Sequence, residues 1–384
     1  MTYTAPTDET PKDKIGEETG GQMEPTHPAN VAARVRQWGG HPNAWKGDGL
    51  VGPMTLEVYP TMACNLDCGF CDTTDRHRPA VQEMPLDRWL EVIDEAAELG
   101  VKRLFVLGGG EPMARKSLTL GIMRRAKQHG MEGILTTNGT LFDRKLIETT
   151  VQMGWDEVHI SIDGPDAATH DPLRGQTGAF RKAVRTACGL SVQRRKCGSS
   201  KTRVALHFVI TNQNYRCLSS MVELAHSVGA FRIDFDALIA YTPEQRALML
   251  SGEQTRDLLA ESEAAESLAS QLGIITTLPN IKTAQRMERG TRLPPAGLGD
   301  GFKGAPCLKA WHYLVVQSDG RTSPCCVLSG EGGSVVHQSL ADVWARDPFL
   351  VKVREGMMNK APLSRCKECS WNILVHEESI RKHI

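Results

Sequence analysis

Cys64, Cys68 and Cys71 stand in the spacing C-x3-C-x2-C, with Phe70 directly before the last cysteine. Four thiolates would close the coordination of an iron–sulfur cubane, whereas three leave one iron open to a substrate or cofactor. A structural zinc ion wants a fourth ligand close by. The first candidates downstream, Asp72, Asp75 and His77, lack the usual pairing of a zinc half-site. The chain has 11 cysteines, and most fall in groups: 64/68/71, then 307/325/326, then 366/369, with isolated ones at 188, 197 and 217. An odd, grouped set is unlike a secreted disulfide framework and fits metal thiolates in a reducing compartment, so a cytoplasmic location is expected.

Composition narrows the class further. The 384 residues suffice for one large domain and a smaller one. With 45 basic and 45 acidic residues the formal charge is +0, and no Lys/Arg block marks a nucleic-acid footprint. A hydrophobic content of 40% supports a real core. No apolar stretch approaches the ~20 residues that span a bilayer. Residues 1–25 are polar and rich in Gly, Pro and Thr, without the apolar core of an export signal.

The elements that must position these thiols alternate along the chain. A short helix is expected near Val31–Trp38. Strands are expected at Thr55–Tyr59, Arg103–Leu107, Gly133–Thr136, Glu157–Ile162, Arg203–Ile210 and Phe231–Leu238. Helical runs near Leu86–Leu99, Leu118–His129, Asp143–Met153, Ala179–Cys188 and Leu218–Val228 separate them. Six parallel strands with helical crossovers make an α/β layer or open barrel, whose functional loops gather at the strands' C-terminal ends. A helix at Glu253–Gln271 and a loop over 290–306 follow. A hairpin then turns at Asp319-Gly320, read as a two-residue turn, and a helix covers Leu340–Arg346.

Polar motifs close several strands. Gly108-Gly109-Gly110-Glu111 follows the second, and glycines let backbone approach a ligand closely, although such a run is also an ordinary turn. Asn138 follows the third strand, where it can also cap its own turn. Ser161 and Asp163 follow the fourth. With C-x3-C-x2-C at the end of the first strand, this pattern resembles the radical S-adenosylmethionine (SAM) enzymes. The resemblance implies a partial (β/α)6 radical SAM barrel over roughly residues 53–240, within an α/β chain that ends in a small β-hairpin/helix auxiliary-cluster domain. The implied divisions are a tail and short helix over 1–52, the core over 53–245, a linker helix and loop over 246–300, and the auxiliary domain over 301–384. It further implies a [4Fe-4S] cluster on the three cysteines, with SAM on its open iron. Gly109, Gly110 and Glu111 would face the methionine amine, and Asn138, Ser161 and Asp163 would contact ribose or carboxylate. Phe70 would lie beside the cluster. Arg174, in His170-Asp-Pro-Leu-Arg174-Gly, would reach the SAM carboxylate or else form a surface salt bridge. His207 and Asn212, flanking the fifth strand, are weaker candidates. An electron donor such as flavodoxin or ferredoxin is implied as a partner.

Cys307, Cys325, Cys366 and Cys369 resemble the ligand set of a twitch domain, the shortened SPASM form that holds one auxiliary [4Fe-4S] cluster; zinc is the alternative. No cysteine follows Cys369, so a third cluster is not expected. Cys326 is left over, either as a buried small hydrophobe or as a hydrogen donor to a substrate radical, and Cys217 is a second candidate donor. The twitch-domain resemblance points to sugar- and aminoglycoside-modifying dehydrogenases and epimerases. The expected reaction is removal of hydrogen from a secondary alcohol carbon of a carbohydrate-like small molecule to give a ketone, an auxiliary cluster taking the released electron. Epimerisation through a cysteine donor and modification of a ribosomal peptide are the alternatives. The peptide reading ranks lower because no three-strand, three-helix recognition pattern precedes the core.

Overall fold

Short aliphatic runs ended by Gly or by polar residues become strands when both faces have something to cover them. A computed structural model describes residues 26–39, 45–46, 49–71, 82–287, 302, 304–328 and 330–384. The expected tail over 1–25 and most of the loop expected at 290–306 lie outside the described residues. After α1 (Pro28–Gln37), the strands β1 (Thr55–Val58), β2 (Arg103–Val106) and β3 (Glu132–Thr137) alternate with α2 (Leu86–Glu98) and α3 (Lys116–Gln128). Next come α4 (Arg144–Gln152), β4 (Glu157–Ser161), α5 (Ala167–Arg174), α6 (Ala179–Lys196), β5 (Arg203–Ile210), α7 (Leu218–Ser227) and β6 (Arg232–Ala237). Each strand pairs in parallel with the next. This is the expected α/β radical SAM architecture.

Side chains alternate across each strand. Leu56, Leu104, Leu135, Val158, Leu206 and Phe235 point outward and are fully buried beneath the helices. Their neighbours Glu57, Phe105, Ile134, Glu157 and Asp234 point into the barrel instead. The inner face is therefore charged where the outer face is oily.

The remaining chain adds α8 (Pro243–Arg246), α9 (Gly252–Leu272), β7 (Ile275–Thr276), α10 (Leu278–Met287), β8 (Tyr313–Val316) and β9 (Thr322–Ser323), then α11 (Leu340–Arg346), α12 (Pro348–Met358) and α13 (Trp371–Arg381). The C-terminal hairpin is not a separate sheet. β8 pairs in parallel with β1, Tyr313 opposite Thr55 and Val316 opposite Val58, giving the sheet order β9-β8-β1-β2-β3-β4-β5-β6-β7. The hairpin turn has three residues rather than two: Gln317 N donates to Arg321 O at 2.8 Å, and Gly320 takes φ +80° as the left-handed residue of the loop. At the other margin, Ser370 Oγ donates to Asp236 Oδ1 at 2.9 Å and Asn372 Nδ2 to Phe235 O at 3.0 Å. The C-terminal segment thus grips both β1 and β6. Among the described residues no helix is long and apolar enough to cross a membrane.

One inward cluster ties the barrel floor. Glu157 accepts from His159 Nε2 at 2.9 Å and pairs with Arg203. Burial pushes its carboxyl up, but His159 and Arg203 outweigh that and hold it down at about 2, against an ordinary 4.5. A depressed folded value means stability that is present above pH 4.5 and lost as pH falls toward 2. Glu157→Gln is therefore expected to flatten the acid side of the urea-stability profile below pH 4.5 while lowering stability at pH 7. A profile unchanged between pH 2 and pH 5 would contradict this.

Candidate active site

The loop after β1 carries Cys64, Cys68 and Cys71, and five neighbouring residues hold its shape. Glu83 accepts from Thr61 Oγ1 and Met62 N, each at 2.7 Å, and is itself held by Arg115 at 2.7 Å. Gly110 N donates to Thr61 O and Glu111 N to Ala63 O, both at 2.9 Å. A Cβ on Gly110 would lie 2.1 Å from Ala63 O, so the β2 loop docks backbone to backbone on the cysteine loop and tolerates no side chain there. Leu173 O, near the end of α5, accepts from Gly69 N at 3.3 Å. Gln245 of α8 donates to Cys71 O at 2.9 Å.

Glu111 is buried and takes three donors: Thr137 Oγ1 at 2.6 Å, Asn138 N at 2.7 Å and Met113 N at 3.0 Å. Burial raises its carboxyl, and these donors oppose the rise. Its side chain clamps the β2 loop to the end of β3. Removing it strands three buried donors, each worth about 1–3 kcal/mol. Glu111→Ala is thus expected to lower the melting temperature even without SAM, and an unchanged melting curve would refute the clamp. Asn138 caps its turn through Thr140 N at 2.9 Å and reaches Asn65 of the cysteine loop at 3.0 Å. Arg174 lies 2.5 Å from buried Asp163 in an ion pair without hydrogen-bond alignment. It also directs Nη1 to Cys68 Sγ at 3.8 Å and stacks 5.2 Å from the Phe70 ring centroid. Asp163 in turn accepts from Val209 N at 2.8 Å.

Cys64, Cys68, Cys71, Phe70, Gly109, Gly110, Glu111, Asn138, Ser161 and Arg174 all line one cavity of about 900 Å³. Asp163 lies behind Arg174 and does not line it. Beneath the C-terminal hairpin, Cys307, Cys325, Cys366 and Cys369 line a second, smaller and largely apolar pocket together with Lys309. Cys326 instead lines the large cavity, so adjacent cysteines face different spaces. His207 lines the large cavity, paired with Asp236 at 3.0 Å. Asn212 and Cys217 line neither. Asn212 bridges to Ala247 O at 2.8 Å, and Cys217 sits half-buried at the start of α7.

The thiols fit iron–sulfur clusters by their chemistry. Burial pushes Cys68 and Cys366 up to about 11 and Cys369 to about 12, with Cys64, Cys307 and Cys325 also raised. Buried thiols become thiolates when a bound cation compensates their charge. Among the described residues no three His, Cys, Asp or Glu side chains converge on a point suited to a single metal ion.

Residues 58–225 match the Radical SAM superfamily, and residues 307–370 match the SPASM iron-sulfur cluster-binding domain. The chain thus carries a radical SAM core and a C-terminal SPASM domain. It is 29% identical to a PqqA peptide cyclase of Granulibacter bethesdensis, across 83% of this chain and 81% of that one. An AdoMet-dependent heme synthase of Methanosarcina barkeri is 25% identical, across 82% and 88%. SuiB of Streptococcus suis, solved bound to its precursor peptide SuiA, shares the fold with a TM-score of 0.65 at 19% identity, covering 85% of this chain and 70% of that one. The expectation of a carbohydrate-like partner is thereby corrected. Relatives named for a peptide substrate recur among the matches, and the structure bound to a precursor peptide shares the fold. Cys307, Cys325, Cys366 and Cys369 speak for an auxiliary cluster and do not by themselves select a substrate class.

Proposed function

We propose that this chain is a radical SAM enzyme that modifies a carbon of a peptide. The observation that carries the reading is a single cavity of about 900 Å³ with the three-cysteine loop on one wall and Cys326, Val327 and Ile373 of the C-terminal module on another. Kinship to peptide cyclases supports the substrate class. Cys64, Cys68 and Cys71 would hold one [4Fe-4S] cluster, and Cys307, Cys325, Cys366 and Cys369 a second. When bound, the first cluster and SAM supply a carbon radical able to remove hydrogen from an unactivated position.

The chain's own residues set the conditions. Arg174 places a guanidinium against Cys68, and Asp163 fixes its direction. Ser161 presents a hydroxyl to the cavity at the end of β4, where a ribose or carboxylate partner would complete it. Ser161→Ala is expected to weaken SAM binding by about 1–3 kcal/mol without changing the melting temperature. Anaerobic titration giving equal affinity would remove it from the SAM site. A second outcome, epimerisation, is favoured by one observation: the Cys326 thiol opens on the substrate cavity rather than on the four-thiol pocket, where it could refill a substrate carbon with hydrogen.

Co-expression with the short open reading frames adjoining its gene tests the function. Mass spectrometry should find one encoded peptide altered only when Cys64, Cys68 and Cys71 are intact. Unaltered peptides alongside turnover of a tetrapyrrole would reject the peptide reading.

A further inference from the structure

Among the described residues, five carboxylates line the large cavity, and four of them are engaged. Glu111 has its three donors, and Glu157 has His159 and Arg203. Asp234 has Arg232 at 2.6 Å, while Asp236 has His207, Ser370 and Asn372. Glu57 differs. It sits on β1 at 2% exposure, and its Oε2 accepts from the Tyr313 hydroxyl, yet Oε1 is buried without a hydrogen-bond partner. Burial and the Glu57 charge keep the Tyr313 phenol protonated, so it remains a donor.

Among the described residues, no cation of the cavity wall donates a hydrogen bond to that oxygen. The four described guanidinium groups that line it, on Arg103, Arg174, Arg203 and Arg232, are paired with Glu132, Asp163, Glu157 and Asp234. The buried Lys309 ammonium, 4.0 Å from the Tyr313 ring centroid, lies near enough to Glu57 for the two charges to favour each other, yet it makes no hydrogen bond to Oε1 and lines the four-thiol pocket, not the large cavity. A buried carboxylate oxygen left without a donor is costly, and a charged donor relieves that cost better than a neutral amide does.

We propose that Glu57 anchors a cationic group of the substrate on the wall shared with Cys326 and Tyr313. Resting on the peptide reading, that group is a lysine or arginine side chain of the peptide. The anchor would hold the peptide between the three-cysteine loop and Cys326.

Anaerobic calorimetry on the reconstituted holoenzyme, with SAM and without reductant, tests this. The probes are acetyl-Gly-Gly-Lys-Gly-Gly-amide, its Nε-acetyl-lysine counterpart, and butylammonium. Wild type should bind the lysine peptide at least about tenfold more tightly than the acetylated one. Glu57→Gln should abolish that preference while iron content and SAM affinity stay unchanged, and Tyr313→Phe should retain it. Equal affinity for the two peptides in wild type, or a preference that survives in Glu57→Gln, overturns the anchor and leaves the peptide reading standing. Butylammonium bound by wild type but not by Glu57→Gln, with neither peptide bound, supports the anchor and removes the peptide reading. No binding of any cation, as expected if water alone fills the position, overturns the anchor.

Discussion

Replacing Cys64, Cys68 and Cys71 together by alanine is expected to lower bound iron from about eight to about four atoms per chain and to abolish SAM cleavage. The three thiols share one loop, held by Glu83, Gly110 and Gln245 through contacts to neighbouring atoms rather than to sulfur. The loop should therefore keep its path in the mutant, and the second pocket, built from other elements, should still load. Iron and sulfide analysis after anaerobic reconstitution reads the first effect, and chromatography of 5′-deoxyadenosine reads the second. Retention of about eight irons would show that the cysteines of this loop are not ligands.

The converse experiment has an effect of similar size. Cys366→Ala with Cys369→Ala should leave about four irons and a SAM-cleaving first site, yet uncouple cleavage from peptide conversion. Cys369 directly precedes Ser370, whose hydroxyl holds Asp236 of β6, so a loss of barrel closure must be separated from a loss of the cluster. Ser370→Ala serves that purpose, because it breaks the tie and keeps the thiols. Full peptide conversion in the double mutant would make the second cluster structural only.

Much of this was legible in the chain. The six core strands carry short apolar runs ended by Gly or polar residues, and no structural bound differs from the expected one by more than one residue. Cysteine spacing likewise announces its own chemistry. Arg174 was visible as a motif, but its helix α5 was not: Pro172 lies inside it, and eight residues are too few to show a period. That helix brings the guanidinium to Cys68 and Asp163. The opposite facing of Cys325 and Cys326 depends on a 3-10 turn over Cys326–Leu328, which leaves no periodic trace. Glu57 was silent for another reason. A single acid in an apolar strand gains meaning only once β8 docks beside β1 and brings Tyr313 to it, a pairing between residues 256 positions apart.

The most direct measurement follows hydrogen from peptide to cofactor. The peptide altered on co-expression, prepared with all its carbon-bound hydrogens as deuterium, is incubated anaerobically with the reconstituted enzyme, SAM and dithionite in ordinary water. The account predicts 5′-deoxyadenosine enriched by one deuterium in proportion to peptide modified, and no enrichment when Cys64, Cys68 and Cys71 are alanine. Peptide modification accompanied by unlabelled 5′-deoxyadenosine would contradict it.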